Sequence, residues 1–193
     1  MKGMIINMIA GYIMTGGKNS RMNGKKKIFL EYNNKSFLDN ILGSFKTMFE
    51  KVYLSVEAPE PYEHLKMPLV VDEIKEIGPM GGIYSGLKKC DEDALFIVAC
   101  DMPFVSETAI KRIIECYLIN KNKVILAYAN GREQPLLGIY PKIILPTLEK
   151  QVKTQNYRLM DLLDETGYSV VNLPANDPSS ININTPEEYK LLK

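Results

Sequence analysis

Apolar positions along the chain fall into two alternating kinds of segment: short runs rich in β-branched residues, and longer stretches in which apolar residues recur at helical spacing. That alternation is the pattern of strand and helix repeated around a mainly parallel sheet. The first run, about 5–14, predicts a strand that ends at Thr15-Gly16-Gly17. Ser36 is placed to cap a helix through Phe49, with Phe37, Leu38, Ile41, Leu42, Phe45 and Met48 as its apolar stripe. Residues 51–57 read as a second strand ended by Pro59 and Pro61, and 68–71 as a short third strand that delivers Asp72. Pro79 then opens a helix to about Cys90, a position where its missing N–H costs no hydrogen bond.

Residues 93–100 (DALFIVAC) are the most apolar run, which predicts a central strand buried on both faces and followed by Asp101. Ser106 and Glu107 start a helix to about Leu118, striped by Ile110, Ile113, Ile114 and Tyr117. Residues 124–129 and 135–140, joined through Asn130-Gly131-Arg132, predict a hairpin or paired strands. Helical spacing returns at 143–151 and 159–165, a last strand follows at 168–173, and the tail is a polar loop leading to a helix opened by Thr185 and Pro186. The expectation is one doubly wound α/β domain over 1–193 with a mainly parallel sheet.

Charge and composition narrow the chemistry. With 193 residues, 46% of them hydrophobic, a core can form without disulfide or metal staples. A net charge of +1 with no basic tail does not favour a nucleic-acid partner. Cys90, Cys100 and Cys116 form no CxxC pair and suit neither a zinc site nor a redox motif, so they read as buried thiols in a reducing cytoplasm. The apolar start, 4–14, is too short to span a bilayer and lacks a cleavage pattern, and no later run exceeds strand length; no membrane is expected. His64, the only histidine, reads as a solvent-facing residue, and without a GxSxG elbow a serine hydrolase is excluded.

Three segments fall at the carboxyl ends of predicted strands, where ligands bind in open α/β sheets. The first, Thr15 to Lys27, sets glycines beside Arg21 and the Lys25-Lys26-Lys27 run; its amides and cations suit phosphate, although composition alone equally describes a solvated basic loop. The second joins Asp72 to Gly78-Pro79-Met80-Gly81-Gly82, which can present backbone groups to a flat base or simply pack a helix closely. In the third, Ala99-Cys100-Asp101-Met102-Pro103-Phe104, Asp101 can hold Mg²⁺ or shape a turn. Asp72 and Asp101 could converge on one ion or on one nucleotide.

Taken in order, these segments resemble the molybdenum cofactor guanylyltransferase family, the MobA-like NTP transferases. The glycine-loop signature LAGGxSxRMG with its following lysine is matched by Met14 to Gly24 with Lys27 as the final lysine, GPLxG by Gly78 to Gly82, DMP[FL] by Asp101 to Phe104, and NxNTPE by Asn182 to Glu187. Thr15 and Asn23 stand where the family usually has alanine and glycine, and the family's asparagine after the second strand is replaced in the neighbourhood of Ser55 or Glu57.

The resemblance implies a Rossmann-like three-layer nucleotidyltransferase fold and transfer of GMP from GTP to molybdopterin or Mo-molybdopterin, with Mg²⁺ as cofactor and pyrophosphate as leaving group. Proteins of cofactor biosynthesis or molybdoenzyme maturation are the implied partners. By position, Met14, Thr15, Gly16, Gly17, Asp72, Gly78 and Pro79 line the nucleotide, Lys27 and Arg21 meet the triphosphate, Asp101 holds the metal, and Asn182 and Asn184 belong to the acceptor half. A CTP-using or sugar-phosphate relative, and a non-catalytic binding protein on the same fold, are the competing expectations.

Overall fold

The computed structural model describes residues 8–16, 21–22 and 25–192, with the backbone alone at 21, 22 and 25. Among them, seven strands form one sheet: β1 (Ile9–Met14), β2 (Val52–Val56), β3 (Leu69–Val71), β4 (Ala94–Ala99), β5 (Val124–Ala129), β6 (Arg132–Pro141) and β7 (Tyr168–Asn172). Their order is β7-β5-β6-β4-β1-β2-β3. β1 runs parallel to β2 and β4, β2 to β3, and β5 to β7, whereas β6 is antiparallel to both β4 and β5. Six strands therefore point one way and β6 returns against them. The most apolar strand, β4, is buried along its whole length in the middle place.

Alternation along β1 feeds two cores. Ile9 and Ile13 face one apolar cluster and Ala10, Tyr12 and Met14 the other, and β4 divides the same way, with Ala94, Phe96 and Val98 opposite Leu95 and Ile97. Helices α1 (Phe37–Met48) and α3 (Glu107–Ile119) cover the first face, and α2 (Pro79–Lys89), α4 (Leu145–Lys153) and α5 (Leu159–Thr166) the second, which makes three layers.

The caps explain where the helices begin. Ser36 Oγ accepts from Asp39 N at 3.0 Å while Asp39 Oδ2 accepts from Ser36 N, a reciprocal capping box that fixes the start of α1. Ser106 caps α3, and Thr185 with Glu188 forms a second box at α6 (Pro186–Lys190). Two local features depart from the sequence reading. The β5–β6 turn is Asn130-Gly131 alone, both at positive φ (55° and 75°), so β6 starts at Arg132 and not at Pro135. Residues 31–32 and 35–36 also pair as a small hairpin about Asn33-Asn34, a turn for which two left-handed asparagines are well suited.

Candidate active site

Thr15, Asp72 and Asp101 follow β1, β3 and β4, so the three segments singled out above meet along one rim of the sheet. The rim has two differently built halves.

On the β3 side, Asp72 Oδ1 accepts from Ser55 Oγ at 3.0 Å. Thr15 is buried, and its hydroxyl and amide both donate to Ser55 O, at 2.7 and 3.1 Å. Tyr12 donates from its hydroxyl to Gly82 O at 2.8 Å, which ties α2 to β1. Gly82 lets α2 approach closely at this crossing: a Cβ there would sit 2.7 Å from Met14 Cε and 2.8 Å from Ser55 Oγ, side-chain ends that would have to shift. Gly78 provides the other backbone requirement: it caps α2 at φ 64°, ψ −148°, a conformation that side chains resist, and Pro79 follows at the first turn. Burial raises the Asp72 carboxyl to about 6, against the lowering effect of the Ser55 hydroxyl. Of the residues expected to line the nucleotide, Met14, Thr15, Gly16 and Asp72 thus stand together, with Gly16 exposed above them and a Cβ on it 4.0 Å from Asp72 Oδ2. Gly78 and Pro79 open the adjoining helix, but Gly82 makes the close contact.

On the β4 side, Lys27 is only 2% exposed, and its Nζ lies 3.9 Å from Asp101 Oδ2 and 3.4 Å from Asn184 Oδ1, to which it donates. A buried ammonium needs such partners. Both separations are long, so the cation is held without being saturated. Asp101, a quarter exposed, is raised above the ordinary carboxylate range by burial, with Lys27 pulling the other way. The basic run does not act as one patch: Lys26 stands over the Tyr62 ring, 4.8 Å from its centroid, while Lys27 turns to the rim. Gly17 and the Arg21 side chain lie outside the described residues.

The two asparagines reach the rim on either side of a buried anchor. Ile183 is buried beside Leu30 and Phe37, and its N–H donates to Asp101 O at 2.9 Å. Its neighbours Asn182 and Asn184 are turned to a cavity instead. That cavity, of about 280 Å³, they line with Asp101, Met102 and residues 132–136 of β6. Asn184 also accepts from Lys27, which links this wall of the cavity to the cation.

The β6 contribution, above all Arg132 and Gln134, was missed by the sequence reading, which began the strand at Pro135. Gln134, a polar residue just before an apolar run, was the available signal.

Asp72 and Asp101 close strands three places apart, about 14 Å at ordinary strand spacing, a distance suited to the two ends of one nucleotide and not to one coordination sphere. Among the described residues no group of three or more His, Cys, Asp or Glu gathers to hold a metal. The oxygen donors of Asp101 and Asn184 fit a hard cation that takes few protein ligands and completes its shell with water and substrate phosphate. His64 is exposed beside Phe29 and takes no part. No helix among the described residues is long and apolar enough to cross a membrane.

Comparison with known proteins agrees with this architecture. Residues 11–170 match the MobA-like NTP transferase domain. A probable molybdenum cofactor guanylyltransferase of Aquifex aeolicus is 28% identical, covering 98% of this chain and 92% of the relative. One from Carboxydothermus hydrogenoformans is 30% identical, covering 94% and 93%. The crystal structure of a molybdopterin-guanine dinucleotide biosynthesis protein A from Archaeoglobus fulgidus superimposes with a TM-score of 0.80 over 95% of this chain and 96% of that one, at 19% identity, a likeness of fold.

Proposed function

The chain belongs to the MobA-like NTP transferase family, and on that premise we propose that it transfers GMP from GTP to molybdopterin or Mo-molybdopterin, releasing pyrophosphate and forming molybdopterin guanine dinucleotide. One observation carries the reading: the buried Lys27 lies 3.9 Å from Asp101 and donates to Asn184, and both of those partners line one cavity with Asn182. The guanylyltransferase relatives, alike over nearly their full length, supply the base and the acceptor.

The chemistry requires placement more than acid–base help, because a phosphate nucleophile is already ionised. The acceptor's terminal phosphate attacks the α-phosphorus in line, the bond to the bridging oxygen breaks, and the electron pair leaves with pyrophosphate. Lys27, loosely held in the free protein, turns to the triphosphate and offsets the charge that grows on the leaving group. Arg21 and the amides of Gly16 and Gly17 complete that cradle. Asp101, with Asn184 beside it, would hold Mg²⁺, which when bound neutralises the phosphate oxygens. Met14, Thr15, Asp72 and the turn that begins at Gly78-Pro79 receive the nucleoside, where a rim of backbone groups meets a flat base without obstruction. We place the reaction in the cytoplasm, where the three unpaired thiols are stable.

The test is pyrophosphate release with molybdopterin and each of GTP, CTP, ATP and UTP. GTP is expected to turn over well ahead of the other three. Equal or greater turnover with CTP would move the assignment to a cytidylyltransferase, and GTP binding without pyrophosphate release would refute transfer altogether.

A further inference from the structure

The cavity's two ends differ in chemistry. Asp101 and Asn184 carry the phosphate end, whereas β6 forms the opposite wall as Arg132 to Leu136. Within that wall Gln134 is 3% exposed, an uncommon place for a primary amide. Its Nε2 donates to Ala129 O at 3.1 Å, which fixes the orientation of the amide plane. An amide has two N–H donors and a carbonyl acceptor, so this bond leaves it one donor and one acceptor for a further partner. The register of β6 against β5 shifts between Gln134 and Gly138, an irregularity of the kind that re-aims a side chain beside a site. Arg132, two residues away and therefore on the same face of the strand, stands exposed at the mouth.

With the reacting phosphate fixed at Asp101, the remainder of the acceptor extends toward this wall. Resting on the functional reading above, we infer that Gln134 determines acceptor specificity by pairing with a ring edge that sets an N–H beside a C=O, the edge a pterin's pyrimidinone presents and a sugar phosphate lacks. Arg132 supplies the cation that draws an anionic acceptor into the mouth. Gln134 is thus a residue of the acceptor's head group and not of the nucleotide.

The experiment is titration calorimetry with 6-hydroxymethylpterin phosphate, with ribose 5-phosphate and with GTP plus Mg²⁺, on the wild type, Gln134→Met and Gln134→Glu. Loss of the paired edge should weaken phosphopterin binding about tenfold or more in both variants, the scale on which a hydrogen-bonding site discriminates. Binding of ribose 5-phosphate and GTP should stay within about twofold, a split that loss of the Ala129 bond alone would not produce. Phosphopterin binding unchanged in both variants, equal loss of all three ligands, or a wild type that does not bind phosphopterin would overturn the inference. A wild type that binds phosphopterin in this pattern yet releases no pyrophosphate would sink the transfer reaction while leaving the head-group site standing.

Discussion

The two aspartates that close β3 and β4 occupy equivalent places in their strands and have opposite surroundings. Asp72 has a 3.0 Å bond from Ser55 and lies under Gly82 and Met14, where every partner comes from the fold itself. Asp101 faces Lys27 across 3.9 Å on the edge of a cavity, and its best complement has to arrive from outside. Short, internal contacts mark a group that shapes a surface; long, open ones mark a group prepared for a ligand. On that contrast we propose the β3 half of the rim as the positioning surface for the nucleoside and the β4 half as the place for phosphates and metal.

The sharpest way to break the contrast is to neutralise the open carboxylate. Asp101→Asn should lower turnover by about 10²-fold to 10³-fold, because it removes the charge while keeping the shape of the side chain. A variant with wild-type turnover would show that Asp101 is only a turn residue. Next comes Lys27→Met, which should cost about 10²-fold in kcat/KM for pyrophosphate release, the fall appearing chiefly in kcat if the cation meets charge that develops in the transition state. Stopped-flow or steady-state assays at saturating acceptor separate the two constants.

The closed half should respond more weakly and in a different constant. Gly82→Ala makes Met14 Cε and Ser55 Oγ shift, and is expected to raise the KM for GTP about tenfold and to destabilise the fold by about 1 kcal/mol, read from thermal unfolding. The smallest effect concerns pH. The Asp72 carboxyl is raised by burial to about 6, so its protonated form favours the folded state; that contribution is present below the unfolded value near 4 and is lost as pH rises through about 6. Asp72→Asn, always neutral, should therefore be more stable than wild type at pH 7.5 by about 1 kcal/mol, reduced from the full shift because the side chain is only partly buried, and equal to it at pH 4. A stability difference independent of pH would assign its effect to the Ser55 bond instead.

Most of this rim was legible in the sequence because its parts obey local rules. An apolar strand that ends in aspartate and a proline that opens α2 each state their own geometry within a few residues, whereas Asn182 and Asn184 lie in what reads as a polar loop and were singled out by the family resemblance alone. Caps at Ser36, Ser106 and Thr185 were readable for the same reason. What escaped depends on contacts between distant segments. The split of the basic run, Lys26 to Tyr62 and Lys27 to Asp101, is decided by neighbours 36 and 74 residues away and leaves no mark on three consecutive lysines. Ser55 is one of many strand serines until Thr15, Tyr12 and Asp72 surround it. Gln134 looked like part of a turn because Asn130-Gly131-Arg132 suggested a longer one; the two positive φ angles end the turn after Gly131 and bring Gln134 into the sheet.

A shared grip of Lys27 and Asp101 on one metal-bound triphosphate is open to calorimetric titration of GTP across a series of Mg²⁺ concentrations. Mg²⁺ should strengthen GTP binding in the wild type and in Lys27→Met, the latter with lower affinity throughout, whereas Asp101→Asn should lose most of the Mg²⁺ dependence. An Asp101→Asn protein whose GTP affinity still rises with Mg²⁺ as steeply as the wild type's would contradict it.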